Sequence, residues 1–191
     1  MKKIIQTMVL AFAVSGASNI QAAEYQIDTK GAHAAINFKI KHLGYSWLAG
    51  RFNHFSGDFS YDAAKPENSN IRVLIDTKSI DSNHAERDKH LRGDDFLNVS
   101  QYPEAKFVSR SFEVQDKEHA IVKGDFTLHG VTKLISFPVE KVGEGKDPWG
   151  GYRAGFVGTT QLKLSDYGIT YNLGPASTHV ELELMIEGIR L

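Results

Sequence analysis

The chain has no cysteine among its 191 residues, only five prolines, no excess of either charge, and no apolar run long enough to cross a bilayer as a helix. Without cysteine there is no disulfide framework, no thiolate nucleophile and no cysteine-ligated zinc or iron–sulfur site. The 22 basic residues against 23 acidic ones leave a formal net charge of −1, so no overall basic field exists to grip nucleic acid. A mature domain of this size buries a core without covalent staples.

The first segment differs from the rest. Lys2 and Lys3 precede an apolar run from Ile4 to Val14, and small and polar residues follow up to Ala22 and Ala23. The run is eleven residues long, short of the roughly 20 that span a membrane. The pattern is that of a secretory leader over 1–22, with a mature domain over 23–191. Cleavage is placed after Ala22; Ile20 is not the small residue preferred three positions back, which keeps Ala23 as the alternative. Loss of Lys2 and Lys3 would leave 20 basic against 23 acidic residues, a net charge of −3.

From residue 23 onward, apolar and polar residues alternate with period two, the mark of half-buried antiparallel strands. Ala34, Ile36, Phe38 and Ile40 form one such series; Phe55, Gly57, Phe59 and Tyr61 another; Ile71, Val73 and Ile75 a third. Val122, Gly124, Phe126 and Leu128 follow, then Thr160, Leu162 and Leu164, and finally Val180, Leu182, Leu184 and Ile186 opposite Glu181, Glu183 and Glu187. Pro138 interrupts Ile135, Phe137 and Val139 and is expected at a bulge or a strand end, because proline cannot donate to the ladder. About eight strands make one all-β domain, either a sandwich or a barrel. Glycines beside aromatics, as in Gly57-Asp58-Phe59 and Gly155-Phe156, allow bending and leave interior space, which favours a barrel with a cavity.

One helix is expected, over Asn83–Arg92, capped by Asn83 with Glu86 in capping-box spacing and closed by Gly93. Its charged residues tempt a chemical reading. His84 and His90 are six positions apart and point about 120° away from each other around a helix, and no HExxH is present, so no metal site is assigned. Glu86 with His90, and Asp88 with Arg92, are i,i+4 pairs of a kind common on solvated helices. No GxSxG nucleophile elbow occurs either, and no catalytic residue is assigned.

Several segments together carry a family resemblance: His33-Ala34-Ala35-Ile36-Asn37-Phe38-Lys39-Ile40-Lys41-His42-Leu43-Gly44, Trp47-Leu48-Ala49-Gly50-Arg51-Phe52, Asn83 to Arg92, Asp95-Phe96-Leu97, Tyr102-Pro103, Gly130-Val131-Thr132-Lys133 and Arg153-Ala154-Gly155-Phe156. In this order, over nearly the whole mature chain, they resemble the YceI family of bacterial periplasmic proteins. Ile135, where relatives often carry Pro or a small residue, is a mild departure. The resemblance implies an eight-stranded antiparallel lipocalin-like barrel with one inserted short helix. It also implies a periplasmic location, a bound polyisoprenoid or similar long-chain amphiphile of quinone or polyprenyl phosphate type, homodimers, and no established catalysis. No cofactor beyond that lipid is expected, and a membrane is the expected source of it.

On that reading the apolar lining is assigned to Ile36, Phe38, Ile40, Trp47, Phe52, Phe59, Phe96, Phe107, Phe126, Leu128 and Phe156. Arg87 and Arg92, with Asn83 and Asp88, are set at the helix-side mouth to meet a head group, since guanidinium suits phosphate. Two other classes stay open. One is an enzyme acting on an amphiphile head group at the same mouth, with His84, Arg87, Asp88 and His90. The other is an outer-membrane barrel, whose strands alternate equally but with the apolar face turned outward; the charged helix and the lack of paired aromatic girdles argue against it.

Overall fold

Period-two alternation makes strands here, and strand pairing makes the barrel. A computed structural model describes residues 22–191; the leader read over 1–22 therefore lies, except for Ala22, outside the described residues. The strands are β1 (Ala23–Ile27), β2 (Ala35–His42), β3 (Ser46–Phe52), β4 (Phe55–Tyr61), β5 (Asn70–Asp76), β6 (Ile80–Asp81), β7 (Glu104–Val114), β8 (His119–Leu128), β9 (Val131–Lys146), β10 (Tyr152–Lys163) and β11 (His179–Arg190). One α-helix, α1 (Ala85–Leu91), is inserted between β6 and β7.

These eleven strands trace eight paths around a closed antiparallel barrel. β1 and β2 lie end to end along β11: Tyr25 faces Arg190 and Ile27 faces Gly188, and after an excursion over 28–34, Ala35 faces Met185 and Ile40 faces Val180. In the same way β3 continues into β4 across Asn53 and His54, and β5 into β6 across a 3-10 turn at Thr77–Ser79. The pairing of β1 with both β4 and β11 closes the ring. Such closure removes exposed strand edges.

The lower half is wider than the strands can close. β7 pairs with β5 but not with β6, and the β9–β10 ladder ends at Val139 opposite Gly158. Residues 82–103 cover the first gap and residues 164–178 the second, where Tyr167 and Ile169 are buried. α1 is riveted to the edge of β6 by its charges. The Arg92 guanidinium donates to the Lys78 and Ile80 carbonyls, both at 2.7 Å, which takes up acceptors that a neighbouring strand would otherwise use. Buried Asp88 accepts from the Ser82 amide at 2.8 Å and from its hydroxyl, and Arg87 Nε donates to that hydroxyl at 2.7 Å.

Two sequence expectations need correction. The helix begins later than Asn83: that residue sits at φ +61°, and His84 is the cap, its Nδ1 accepting from the Arg87 amide at 3.3 Å. Pro138 lies inside β9, at neither a bulge nor a strand end. It is tolerated because the β10 ladder has just stopped, at Val139, while Pro138 still faces Ile121 of β8.

The glycines inside the barrel make room for rings from the neighbouring strand. Phe38 lies over Gly50 directly opposite, Phe107 over Gly124, and Phe59 over Gly188. A Cβ on Gly124 would come within 2.5 Å of both the Phe107 ring and the Val108 carbonyl oxygen. Because the carbonyl belongs to a ladder and cannot yield, Gly124→Ala is expected to cost about 1–3 kcal/mol, the range for overpacking. Urea unfolding of the variant checks this; an unchanged midpoint would contradict the contact.

Candidate functional site

The inward residues of the eight paths enclose two apolar cavities stacked along the barrel axis. The upper one, about 130 Å³, is walled by Phe59, Tyr61, Phe107, Phe112, Phe137 and Phe156 together with aliphatic residues. The lower one, about 400 Å³, is walled by Phe38, Ile40, Leu48, Phe52, Phe96, Leu128, Leu162 and others. Ile75, Phe126 and Leu182 line both and form the waist between them. The lower cavity alone reaches the roughly 300–1,000 Å³ typical of small-molecule sites. The upper cavity opens near Pro66, Ser69 and the loop Asp116–His119; the lower one lies against α1 and the 164–178 segment.

The structure brings ten of the eleven residues assigned to the lining onto these walls; Trp47 alone is elsewhere. Trp47 is 53% exposed and lies on the outer face of β3 beneath the Lys39 and Lys41 ammonium groups. The sequence held the signal. Trp47 and Phe52 are five positions apart on one regular strand, so their side chains take opposite faces.

The head-group set is dispersed. Arg87 reaches the lower cavity, and His90 does too, packed edge-on against Phe96 and Tyr171 with its Nε2 2.9 Å from Asp95. Asp88 and Arg92 are instead occupied in fastening the helix, and Asn83 lines a hollow on the outer surface with Arg51, Asp81 and Glu183. The acid that a catalytic reading of this mouth relies on is thus bound to Ser82.

Polar groups that sequence reading missed sit at the opposite end. Lys141 lines the upper cavity, its Nζ 5.6 Å from the Tyr61 ring centroid and 3.3 Å from Glu144 Oε1, to which it donates. Burial opposes its charge, yet hydrogen bonding with Tyr61 and Glu144 prevails and raises its pKa, so Lys141 is cationic. The Ser69 hydroxyl, on the wall of the same cavity, is shielded from solvent without a hydrogen-bond partner in the structure. Lys141 continues the inward series Ile135, Phe137 and Val139, so its spacing held the signal and only its charge spoke for the outer face. Glu144, of the opposite parity, comes opposite Ala154 because Val142 is skipped in the ladder at the irregularity beside Gly155 and Phe156.

Among the described residues, Asp28, His33 and Glu187 group their ligand atoms within 4.8 Å. The cation they surround is already covalently present. Arg153 Nη1 lies 2.7 Å from Asp28 and 2.6 Å from Glu187, and its Nε donates to Asp147 at 3.0 Å.

Comparison with known proteins agrees with this geometry. The family model described as YceI-like domain matches residues 25–188. A UPF0312 protein of Shewanella putrefaciens is 53% identical over 190 residues, covering all of both chains. Among solved structures, the YCEI protein of Campylobacter jejuni superposes with a TM-score of 0.72 at 26% identity, covering 95% of this chain and 98% of that one. Burkholderia cenocepacia BcnA gives 0.75 at 21% identity over 84% of this chain and 98% of its own. A polyisoprenoid binding domain from Saccharophagus degradans gives 0.64 at 18% identity, over 90% of this chain and all of that one.

Proposed function

The chain belongs to the YceI-like family, and from that membership and the interior of its barrel we propose that it is a periplasmic carrier that holds a polyisoprenoid-type lipid, exported by its leader over 1–22. The observation that carries this reading is the stack of two apolar cavities joined at a single waist of Ile75, Phe126 and Leu182. Such an interior fits a long flexible hydrocarbon better than a compact metabolite. The Saccharophagus degradans domain, described as polyisoprenoid binding, has the same fold.

Each buried methylene is worth roughly 0.8 kcal/mol against water, but a membrane lipid starts in a bilayer and gains little from exchanging one apolar medium for another. Selectivity must then come from the shape of the cavity and from its polar end. At the upper end the Lys141–Glu144 pair is net neutral and offers one donor and one acceptor, with the Ser69 hydroxyl nearby. A multiply charged phosphate would meet the Glu144 carboxylate there. A neutral quinol hydroxyl accepts from Lys141 and donates to Glu144, and a quinone carbonyl accepts from Lys141 without repelling the carboxylate as a phosphate would. A head of this quinone or quinol kind is the one we assign.

Protein released by osmotic shock and extracted with organic solvent is expected to yield an isoprenoid lipid with a quinone-type mass. A folded protein whose extract holds no lipid, or only phospholipid, would overturn the carrier reading, and a polyprenyl phosphate would overturn the head-group assignment. Retention in spheroplasts or in the membrane fraction would overturn the location.

A further inference from the structure

We propose that the β2–β3 hairpin tip is the surface by which this protein docks on a lipid bilayer bearing anionic head groups, so that lipid passes through the lower end of the barrel. This deepens the carrier reading and rests on it. The tip carries Leu43, Tyr45 and Trp47 at 57%, 88% and 53% exposure, and Tyr171 beside it is 46% exposed. Scattered apolar residues on a surface need no explanation, but four large ones gathered at one end of a barrel do.

The turn itself is built against water. Tyr45 N donates to the His42 carbonyl at 3.0 Å, and the two residues at the apex, Leu43 and Gly44, have φ of +52° and +85°. Hairpin turns with two left-handed residues favour Asn-Gly or Asp-Gly. Leucine at the first position is strained and exposes its side chain, two disadvantages in water that a bilayer partly reverses by burying the side chain.

Depth along the hairpin follows the layers of a membrane interface. Leu43 is at the apex, Tyr45 comes next, and Trp47 stands opposite Lys41. Lys39, two residues farther along β2 and so about 7 Å deeper into the protein, is opposite Ala49. Lys39 is paired with Glu181 at 2.8 Å, so Lys41 is the base that meets lipid: apolar apex, aromatic belt and then a lysine is the order in which side chains meet acyl chains, interfacial carbonyls and phosphates. Lys39 and Lys41 sit 5.4 and 5.7 Å from the Trp47 ring centroid, which holds the ring against their stems.

The tip is also the rim of the cavity. His42 and Leu48 of the hairpin line the lower cavity together with Tyr171 and Leu173, and the Ser177 hydroxyl donates to the Lys41 carbonyl at 2.5 Å, which ties the hairpin to the 164–178 segment. A lipid leaving the bilayer at this point would meet an apolar wall from the first contact.

The two tryptophans provide an internal control, because exposed Trp149 lies in the connection between β9 and β10 at the opposite end of the barrel. With vesicles of equal parts phosphatidylglycerol and phosphatidylethanolamine, Trp47 emission in Trp149→Phe protein is expected to shift to the blue and to be quenched by brominated lipid. Trp149 emission in Trp47→Phe protein is expected to stay unchanged. The triple variant Leu43→Asn, Tyr45→Ser, Trp47→Ser is expected to bind these vesicles about tenfold or more weakly, since interfacial affinity follows the apolar area inserted, while unfolding at the same or higher denaturant and keeping its co-purified lipid. Unchanged vesicle binding by the folded triple variant, or a shift of Trp149 in place of Trp47, would overturn the proposal. So would loss of self-association with vesicle binding intact, which would make the patch a contact between copies. Absence of isoprenoid lipid in the extract would instead strike the carrier reading, and is read from the unmodified protein.

Discussion

Phe126→Ala is expected to lower the free energy of unfolding by about 3–5 kcal/mol, the range for removing a buried phenylalanine ring. Phe126 is 4% exposed and lies at the waist, where it contacts the space of both cavities and meets the Tyr167 ring edge-on at 5.8 Å. Its neighbours belong to closed ladders on both sides, to Phe107 and to Lys133, so the barrel cannot collapse inward to refill the void. The same change joins the two cavities into one wide chamber and removes the constriction that grips a chain. Bound lipid is therefore expected to exchange faster as well, and Phe126→Leu, which keeps most of the volume, should fall between the two proteins in both respects. Denaturant titration and timed lipid extraction measure the two effects. An alanine variant as stable and as retentive as the parent would mean that the waist does not exist in solution.

The second large effect is expected at Arg153, and it depends on pH. Asp28 is 5% exposed and its carboxylate is held by Arg153, by His33 and by the Gly31 amide, which keep its pKa well below the usual carboxylate range. The unfolded chain releases the same proton near pH 3.9. A depressed folded pKa gives stability that is complete above that value and is withdrawn as pH falls from there towards the folded pKa. Arg153→Met leaves Asp28 buried without the one permanent cation among its three partners, and the variant is expected to be less stable at pH 7 and to have a shallower acid limb. Adding Asp28→Asn removes the stranded charge and should restore part of the loss, because an uncompensated buried charge costs more than the pair contributed. Thermal midpoints measured from pH 7 down to pH 3 for the parent, both single variants and the double variant test this. Parallel pH curves for the parent and Arg153→Met would refute it.

Much of the architecture was legible because alternation is a local property. Val122, Gly124, Phe126 and Leu128 on β8, and Leu182, Leu184 and Ile186 on β11, face inward as their spacing requires. Where the reading failed, one missed fact was local and the other was not. Trp47 was assigned to the lining on the family resemblance, although its odd spacing from Phe52 and its position opposite Lys41 put it outside. Asp88, Arg87 and Arg92 looked like chemistry at a mouth. Their partners, Ser82 and the carbonyls of Lys78 and Ile80, are close in sequence, but whether those groups were free depended on β6 lacking a neighbouring strand.

The absence of cysteine meant from the outset that packing and hydrogen bonds alone must hold this domain together, and period-two alternation determined that the packing would be strand against strand with aromatic rings on one face. Those two conclusions come from residue type and spacing, which need no knowledge of what lies across the barrel. Only the tertiary structure decided that the rings would line two cavities joined at Phe126, that Arg153 would bridge to Asp28 across 125 positions of sequence, and that a skipped residue in the β9–β10 ladder would bring Glu144 to Lys141 at the upper end. Each of these depends on which strands meet and where the ladders stop, and closure of the ring sets that for residues that share no local pattern.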